Sequence, residues 1–241
     1  MTTFAGKRIL VTGGSDGIGR ELALQLRDRG AEVTVTGRAA QKLAAMEAEG
    51  FRTIEADFAN AAGVDAVVAA WGDAPLDILV NNAGMGLEHD YRKGKTSSAD
   101  IEANIHANLT APILLSARLH ENLKAGRDPM IVNVTSGLAI TPSTSAPLYC
   151  ATKAGLRSYS IAAREQLRES AIHVLEALPP MVDTEMTRGQ EAKKMSAPDC
   201  AAAIVEAMEK RREEAHIGLV KTLKSLHSIS PKLVQKILLR F

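Results

Sequence analysis

Aromatic residues are scarce in this chain of 241 residues: four Phe, three Tyr and one Trp, 3% in all. A core with so few rings has to be aliphatic, and 46% of the residues are apolar. Packing of that kind suits helices laid on a buried parallel sheet. Cysteine is nearly absent. Cys150 and Cys200 have no metal-ligand spacing and offer no disulfide framework, as expected in a reducing compartment. No excess of one charge exists either; a net charge of +1 argues against a whole-chain electrostatic footprint for nucleic acid. No apolar run reaches the roughly 18 residues that a membrane span needs. Residues 1–8 lead directly into a strand-like run, without a signal-peptide pattern. These absences lead us to expect a cytoplasmic protein that binds no nucleic acid.

What is present is alternation. Short apolar runs at 8–12, 32–36, 51–56, 76–80, 130–135, 172–178 and 216–220 read as strands, with helical patterns between them. Helices are expected over 99–123 and 149–169, and the Met- and charge-rich stretch 181–197 reads as a mobile lid. The pattern predicts an α/β protein, a single-domain Rossmann-like doubly wound sheet, mostly parallel, of about seven strands flanked by helices. Residues 1–220 would form the dinucleotide-binding and catalytic domain, with 221–241 as a basic amphipathic extension of it.

The first strand runs into Gly13-Gly14-Ser15-Asp16-Gly17-Ile18-Gly19, and a helical pattern follows. Strand, glycine turn and helix in that order suit a dinucleotide: glycines allow close backbone approach, and a helix N-terminus faces the pyrophosphate. The spacing is G-x-x-x-G-x-G rather than G-x-G-x-x-G. The second strand ends in Gly37-Arg38. An acid at that point would bind the 2′-hydroxyl of NAD, whereas an Arg accommodates a 2′-phosphate. NADP(H) is therefore favoured over NAD(H). Asp16 is a counter-signal, because its carboxylate would repel a 2′-phosphate.

Tyr149 and Lys153 lie four residues apart in a helical segment, which puts both side chains on one face. An ammonium so close to a phenol is expected to lower the phenol pKa from about 10, making Tyr149 a proton donor and acceptor for a substrate oxygen. Ser136 ends the fifth strand and could hold the same oxygen. Cys150 reads as a small buried hydrophobe, His106 as a satisfied core group and His89 as a surface residue.

Together these residues resemble the short-chain dehydrogenase/reductase family over about residues 6–220. Thr12-Gly13-x-x-x-Gly17-x-Gly19 is similar to its cofactor loop, and Asn81-Asn82-Ala83-Gly84 to its Asn-Asn-Ala-Gly element. Asn108, Ser136, Tyr149 and Lys153 fall on its catalytic tetrad. The resemblance implies that Asn108 positions a water passing protons to Lys153, and that Lys153 also holds the nicotinamide ribose. It implies cofactor contacts for Gly13, Ser15, Asp16, Gly17, Ile18, Gly19, Arg38, Asp57, Phe58, Asn82, Ala83, Gly84, Tyr149, Lys153, Pro179, Val182 and Thr184, with Asp57 near adenine and Val182 and Thr184 near the carboxamide. It also implies a homodimer or homotetramer paired through the helices bearing Asn108 and Tyr149. One departure stands out: Pro179-Pro180 replaces the usual Pro-Gly after the sixth strand. That pair also occurs in some long-chain keto-lipid reductases and in a bacterial subset associated with cell-wall D-alanylation genes, which residues 148–186 most resemble.

The substrate implied is a small carbonyl compound or secondary alcohol, in a pocket that would include Leu138, Ile140, Pro180, Met181 and Met186. No metal is expected. The tail carries Lys221, Lys224, Lys232, Lys236 and Arg240 with no acid, and Leu233, Val234, Ile237, Leu238 and Phe241 at helical spacing. Two readings of it stand: a helix on an anionic membrane surface, which would make the protein a membrane-peripheral lipid ketone reductase, or a helix packed over the pocket or a partner subunit. A sensor that binds NADP(H) without chemistry is the non-enzymatic alternative.

Overall fold

The computed structural model describes residues 2–86 and 96–239. His89 and the centre of the loop expected to border the substrate lie outside them. Seven strands, β1 (Arg8–Val11), β2 (Glu32–Gly37), β3 (Arg52–Glu55), β4 (Ile78–Asn81), β5 (Met130–Val134), β6 (His173–Leu178) and β7 (Glu214–His216), form one sheet in the order 3-2-1-4-5-6-7. Every pairing is parallel. The helices are α1 (Gly17–Arg27), α2 (Ala40–Ala48), α3 (Ala61–Trp71), α4 (Ser98–Ile105), α5 (Ala111–Arg118), α6 (His120–Lys124), α7 (Pro147–Gln166), α8 (Ala197–Glu209), α9 (Leu219–Ile229) and α10 (Pro231–Leu238).

Their starts are written in side chains that satisfy free backbone N–H groups. Asp16, Asn60, Ser97 and Ser196 each accept from the first turn of α1, α3, α4 and α8. Pro opens α7 and α10 where no N–H is needed. Leu22, Leu26 and Met46 join Ile204, Val205 and Met208 on one face of the sheet. Val64, Val67, Leu115 and Leu123 cover the other, with Trp71 at the margin. The aliphatic core that the composition demanded is what fills both layers.

Two expectations need correction. The last strand is Glu214–His216 rather than 216–220, because Gly218 at φ +53° turns the chain into α9. The helix expected over 99–123 is three helices interrupted by a π-helical turn at His106–Thr110. Pro112 has no N–H to give to the carbonyl four residues back, that of Asn108, so regular α pairing cannot run through.

Two polar chains cross the interior. Asn81 donates to Asn133 (2.9 Å) and Asn133 to Ser160 (2.9 Å), fastening β4, β5 and α7 together. Glu176, wholly buried on β6, accepts from Thr135 (2.7 Å) and from Arg157 of α7, which also reaches Glu214 at 2.9 Å. Burial raises the Glu176 pKa, opposed by Thr135 and Arg157.

Removing Arg157 strands that carboxylate. Arg157→Met should cost about 3–5 kcal/mol at pH 8. A raised carboxyl pKa means the folded state binds the extra proton, so the cost shrinks as pH falls. Urea unfolding at pH 8 and pH 5 tests this, and an equal loss at both would contradict it.

Candidate active site

The C-terminal ends of β1, β4, β5 and β6 lie along one edge of the sheet, and the order reverses between β1 and β4. Open parallel sheets bind ligands at such a switch point. Gly13 (φ +62°) sits there so closely against β4 that a Cβ would come 2.9 Å from the Ala83 Cα. At Gly19 a Cβ would meet the Gly13 carbonyl at 2.1 Å, and at Gly37 the Ser15 hydroxyl at 2.4 Å. Thr12 accepts from Asn82 N–H (2.9 Å) and Ala83 N–H (3.0 Å), while the Asn82 amide donates to the Thr12 carbonyl (3.0 Å). The Asn-Asn-Ala-Gly stretch thus anchors the glycine turn to β4.

Lys153 reaches from α7 into this edge. It is 4% exposed, and its ammonium donates to the Val134 carbonyl at 3.0 Å. The ammonium lies 5.7 Å from the Tyr149 ring centroid, so the four-residue spacing does bring the pair together. Gly84 fits between Asn108 and Lys153: a Cβ there would be 2.9 Å from Asn108 Oδ1 and 3.6 Å from Lys153 Nζ. Ser136 starts a short 3₁₀ turn, Gly137–Ala139, and its Oγ accepts from Leu138 N–H at 3.1 Å. That bond uses an acceptor site and leaves the hydroxyl proton for another partner.

The electrostatics overturn one expectation. Tyr149 is not acidified by its neighbour; burial raises its pKa to about 12, and the facing Ser136 hydroxyl only partly opposes this. Desolvation also lowers Lys153 to about 8, with the ammonium directed at a carbonyl rather than at the phenol. The spacing was right and the sign of the result was wrong, because burial outweighs a cation held against another acceptor.

Asn108 is fully buried, and its amide is consumed locally. Its Oδ1 accepts from Met85 N–H (2.8 Å), and its Nδ2 donates to the Met85 carbonyl (2.9 Å) and to Asn104 (3.0 Å). A water-holding role for its side chain is therefore not supported; its carbonyl, in the π-helical turn, is the group that Pro112 leaves without an α-helical donor. Phe58 and Val182 are likewise core side chains, so any cofactor contact falls to their backbone. Asp57 accepts from Ala59 N–H at 3.0 Å in an exposed turn. Thr184 lies over the glycine turn, 3.0 Å from a Cβ placed on Gly17, and Met186 lies beside Gly86. Leu138, Ile140 and Pro180 are half-buried near Ser136 in sequence or across β6, whereas Met181 and Met186 are exposed. The segment expected to be a mobile lid is pinned at its base: Met195 N–H donates to the Met181 carbonyl (2.9 Å) and Asp183 N–H to that of Met195 (2.8 Å). Cys150 is buried as expected; His106 is bonded to the Phe58 carbonyl at 2.9 Å as expected but is half-buried rather than in the core.

Arg38 is exposed and, among the described residues, has no ion pair or hydrogen-bond partner. The carboxylate of Asp16 is engaged: it caps Gly17 N–H (2.7 Å) and pairs with Lys42, which also lies 3.6 Å from Glu185. Those bonds lower the Asp16 pKa against the opposing effect of burial. Lys42 escaped the sequence reading; its position one turn into α2, beside the end of β2, was the available signal.

A parallel sheet with a glycine turn at its switch point, flanked by a Tyr-x-x-x-Lys helix, belongs to the class of dinucleotide-binding doubly wound proteins. Residues 7–195 match the family model described as short chain dehydrogenase, and the chain belongs to that family of oxidoreductases. It is 40% identical over 189 residues to the uncharacterized oxidoreductase DltE of Bacillus subtilis, covering 77% of this chain and 75% of that protein. It is 32% identical to nodulation protein G of a Rhizobium species, covering 78% of each. Among solved structures, a short-chain dehydrogenase of Burkholderia cenocepacia in complex with NADP superposes with a TM-score of 0.88 over 99% of both chains at 24% identity. One from Sphingobium yanoikuyae in complex with NADPH gives 0.81 over 94% of both at 26%. Another from Burkholderia phymatum, in complex with NAD, gives 0.83 over 97% of this chain and 96% of that one at 22% identity. No helix among the described residues is long and apolar enough to cross a membrane.

The buried ammonium has a measurable cost. With its pKa lowered from 10.5 to about 8, Lys153 binds its proton less readily folded than unfolded. The penalty is full below about pH 8 and is relieved as pH rises to about 10.5. Lys153→Met should therefore stabilise the cofactor-free protein at pH 7 by as much as about 3 kcal/mol, with the gain fading by pH 10.5. Thermal unfolding across that range checks it; a pH-independent difference would contradict the assignment.

Proposed function

We propose that this chain is an NADP(H)-dependent reductase of a small ketone or aldehyde, able to run in reverse as a secondary-alcohol dehydrogenase. The observation that carries the reading is the meeting of Ser136, Tyr149 and Lys153 at the edge of the sheet that also bears the glycine turn. The turn, the exposed Arg38 and the N-terminus of α1 fit a dinucleotide, which when bound supplies the hydride for the carbonyl carbon.

Ser136 donates its free hydroxyl proton to the substrate oxygen and fixes its position. Tyr149 then delivers a proton to that oxygen as negative charge develops there. A phenol with a pKa of about 12 stays protonated at neutral pH. It is still far more acidic than an alcohol, whose pKa is near that of water at about 16, so the transfer runs downhill. In the reverse direction the phenolate would take the proton from the alcohol, so oxidation gains as pH rises. Lys153 keeps α7 against β5 through Val134 and would hold the nicotinamide ribose, and the Asn108 carbonyl, with its α-helical donor removed by Pro112, would hold a water connecting Lys153 to solvent.

Preference for NADP(H) follows from charge. Arg38 is exposed for a 2′-phosphate, and Lys42 offsets the carboxylates of Asp16 and Glu185 that would oppose it. Leu138, Ile140, Pro180, Met181 and Met186 would line the substrate pocket, an apolar set suited to a hydrophobic carbonyl compound.

Two substitutions test these roles. Tyr149→Phe should lower carbonyl-dependent NADPH oxidation by about 10²–10⁴-fold while NADPH binding stays within about twofold; unchanged turnover would defeat the mechanism. Arg38→Ala combined with Lys42→Gln should weaken NADPH binding about tenfold or more, given about 1.5–3 kcal/mol for hydrogen bonds to charged groups, and leave NADH unaffected. Titration by fluorescence reads both, and equal losses for the two nucleotides would remove the 2′-phosphate assignment.

A further inference from the structure

The two terminal helices take no part in that chemistry, and their surface is unusual. Val220 is buried where α9 meets β7, and Val234 is buried on α10, which packs against α9. Leu219, Leu226 and Ile229 of α9 and Leu233 and Ile237 of α10 point outward, with Ile229 82% and Leu219 68% exposed. Leu219 and Leu226 are two turns apart, with Ile229 one turn further on, and Leu233 and Ile237 are four residues apart, so each helix carries an apolar stripe. A run of exposed large apolar groups on consecutive helices marks an interaction surface.

Charge says what kind. Lys221, Lys224, Lys232 and Lys236 share these helices, and the last acidic residue of the chain is Glu214. Among the described residues no ion pair engages any of the four lysines. A second copy of the chain is a poor occupant: a two-fold contact sets the same patch against itself and would bring lysines to lysines. An anionic bilayer surface suits both features. Its acyl boundary would take the apolar stripe, and the exposed Lys232 and Lys236, which flank Leu233 and Ile237 on α10, would carry their ammonium groups to the phosphates; Lys224 is half-buried on the other side of α9.

We infer that α9 and α10 dock this protein on an anionic phospholipid surface. The docking face adjoins the candidate site. Val220 and Leu223 lie against Gly137, the residue after Ser136, where a Cβ would come 2.8 Å and 3.5 Å from their side chains. Gly218, at the start of α9, lies beside Pro180 and Met195. A substrate drawn from the bilayer surface, an amphiphilic carbonyl compound, would reach the pocket along this border; that last step rests on the reductase reading, whereas the docking does not.

Co-sedimentation of the full chain with vesicles tests it without requiring turnover. With phosphatidylcholine vesicles containing phosphatidylglycerol the protein should pellet at least tenfold more than with phosphatidylcholine alone. The triple variant Leu226→Ser, Ile229→Ser, Leu233→Ser should lose at least tenfold of that partitioning. Glutamine at the four lysine positions should abolish the anionic preference, since each cation near such a surface is worth about fivefold. Retained NADPH binding verifies folding, and Ile229→Ser alone, at the most exposed position, serves if the triple variant fails that check. Equal partitioning onto both vesicles, no partitioning, or a variant indistinguishable from the parent overturns the docking. So does a concentration-dependent dimer that the triple variant dissolves, which would make the face a contact between copies. Vesicle binding without turnover on any soluble or bilayer carbonyl would instead sink the reductase reading alone.

Discussion

A lysine ammonium shut away from water and bonded to a strand carbonyl is the constraint on which the rest of this molecule depends. Lys153 can be placed there only because α7 lies tightly along β5. Desolvation is unfavourable for the charge, and the Val134 carbonyl supplies the nearest compensation. Tyr149, one turn earlier and half-buried, has its phenol pKa pushed up to about 12 by desolvation, partly opposed by the Ser136 hydroxyl. Loss of water, more than the nearby ammonium, sets the direction of that shift.

Holding α7 in place requires ties beyond apolar contact. Ser160 is bonded through Asn133 and Asn81 across two strands, and Arg157, one turn beyond Lys153, binds the buried Glu176. Glu176 in turn holds Thr135, the neighbour of both Val134 and Ser136. Hydrogen bonds from Lys153 to Val134, from Thr135 to Glu176 and from Arg157 to Glu176 therefore tie α7 at two points to the stretch of chain that leads into Ser136. Buried ionic groups of this kind add little net stability over apolar packing but fix one arrangement.

Much of this was legible in the residues alone. The alternation of apolar runs fixes a doubly wound sheet, and the seven strands lie close to the expected stretches. Gly13, Gly17 and Gly19 mark the turn at the switch point of the sheet, and the four-residue spacing of Tyr149 and Lys153 places the pair. What escaped was set by three-dimensional context. The sign of the Tyr149 shift depends on how much water the phenol loses, which no spacing encodes. The Glu176–Arg157 pair joins residues that are distant in sequence, and Lys42 matters only because α2 swings it onto Asp16. Pro112 was a readable signal for the π-helical turn and the freed Asn108 carbonyl, but the apolar periodicity through 99–123 masked it. Gly218, likewise, marked where β7 had already ended.

Direct observation of the tyrosine proton tests the central claim most closely. Carbon-13 labelling at tyrosine Cζ, with Tyr149→Phe to assign the resonance, reports ionisation of the phenol in the cofactor-free protein by NMR. If burial governs the site, the Tyr149 signal keeps its protonated shift from pH 6 up to about pH 10, consistent with a pKa pushed up to about 12. A midpoint near neutral pH would contradict the account and return Lys153 to the role of acidifying its neighbour.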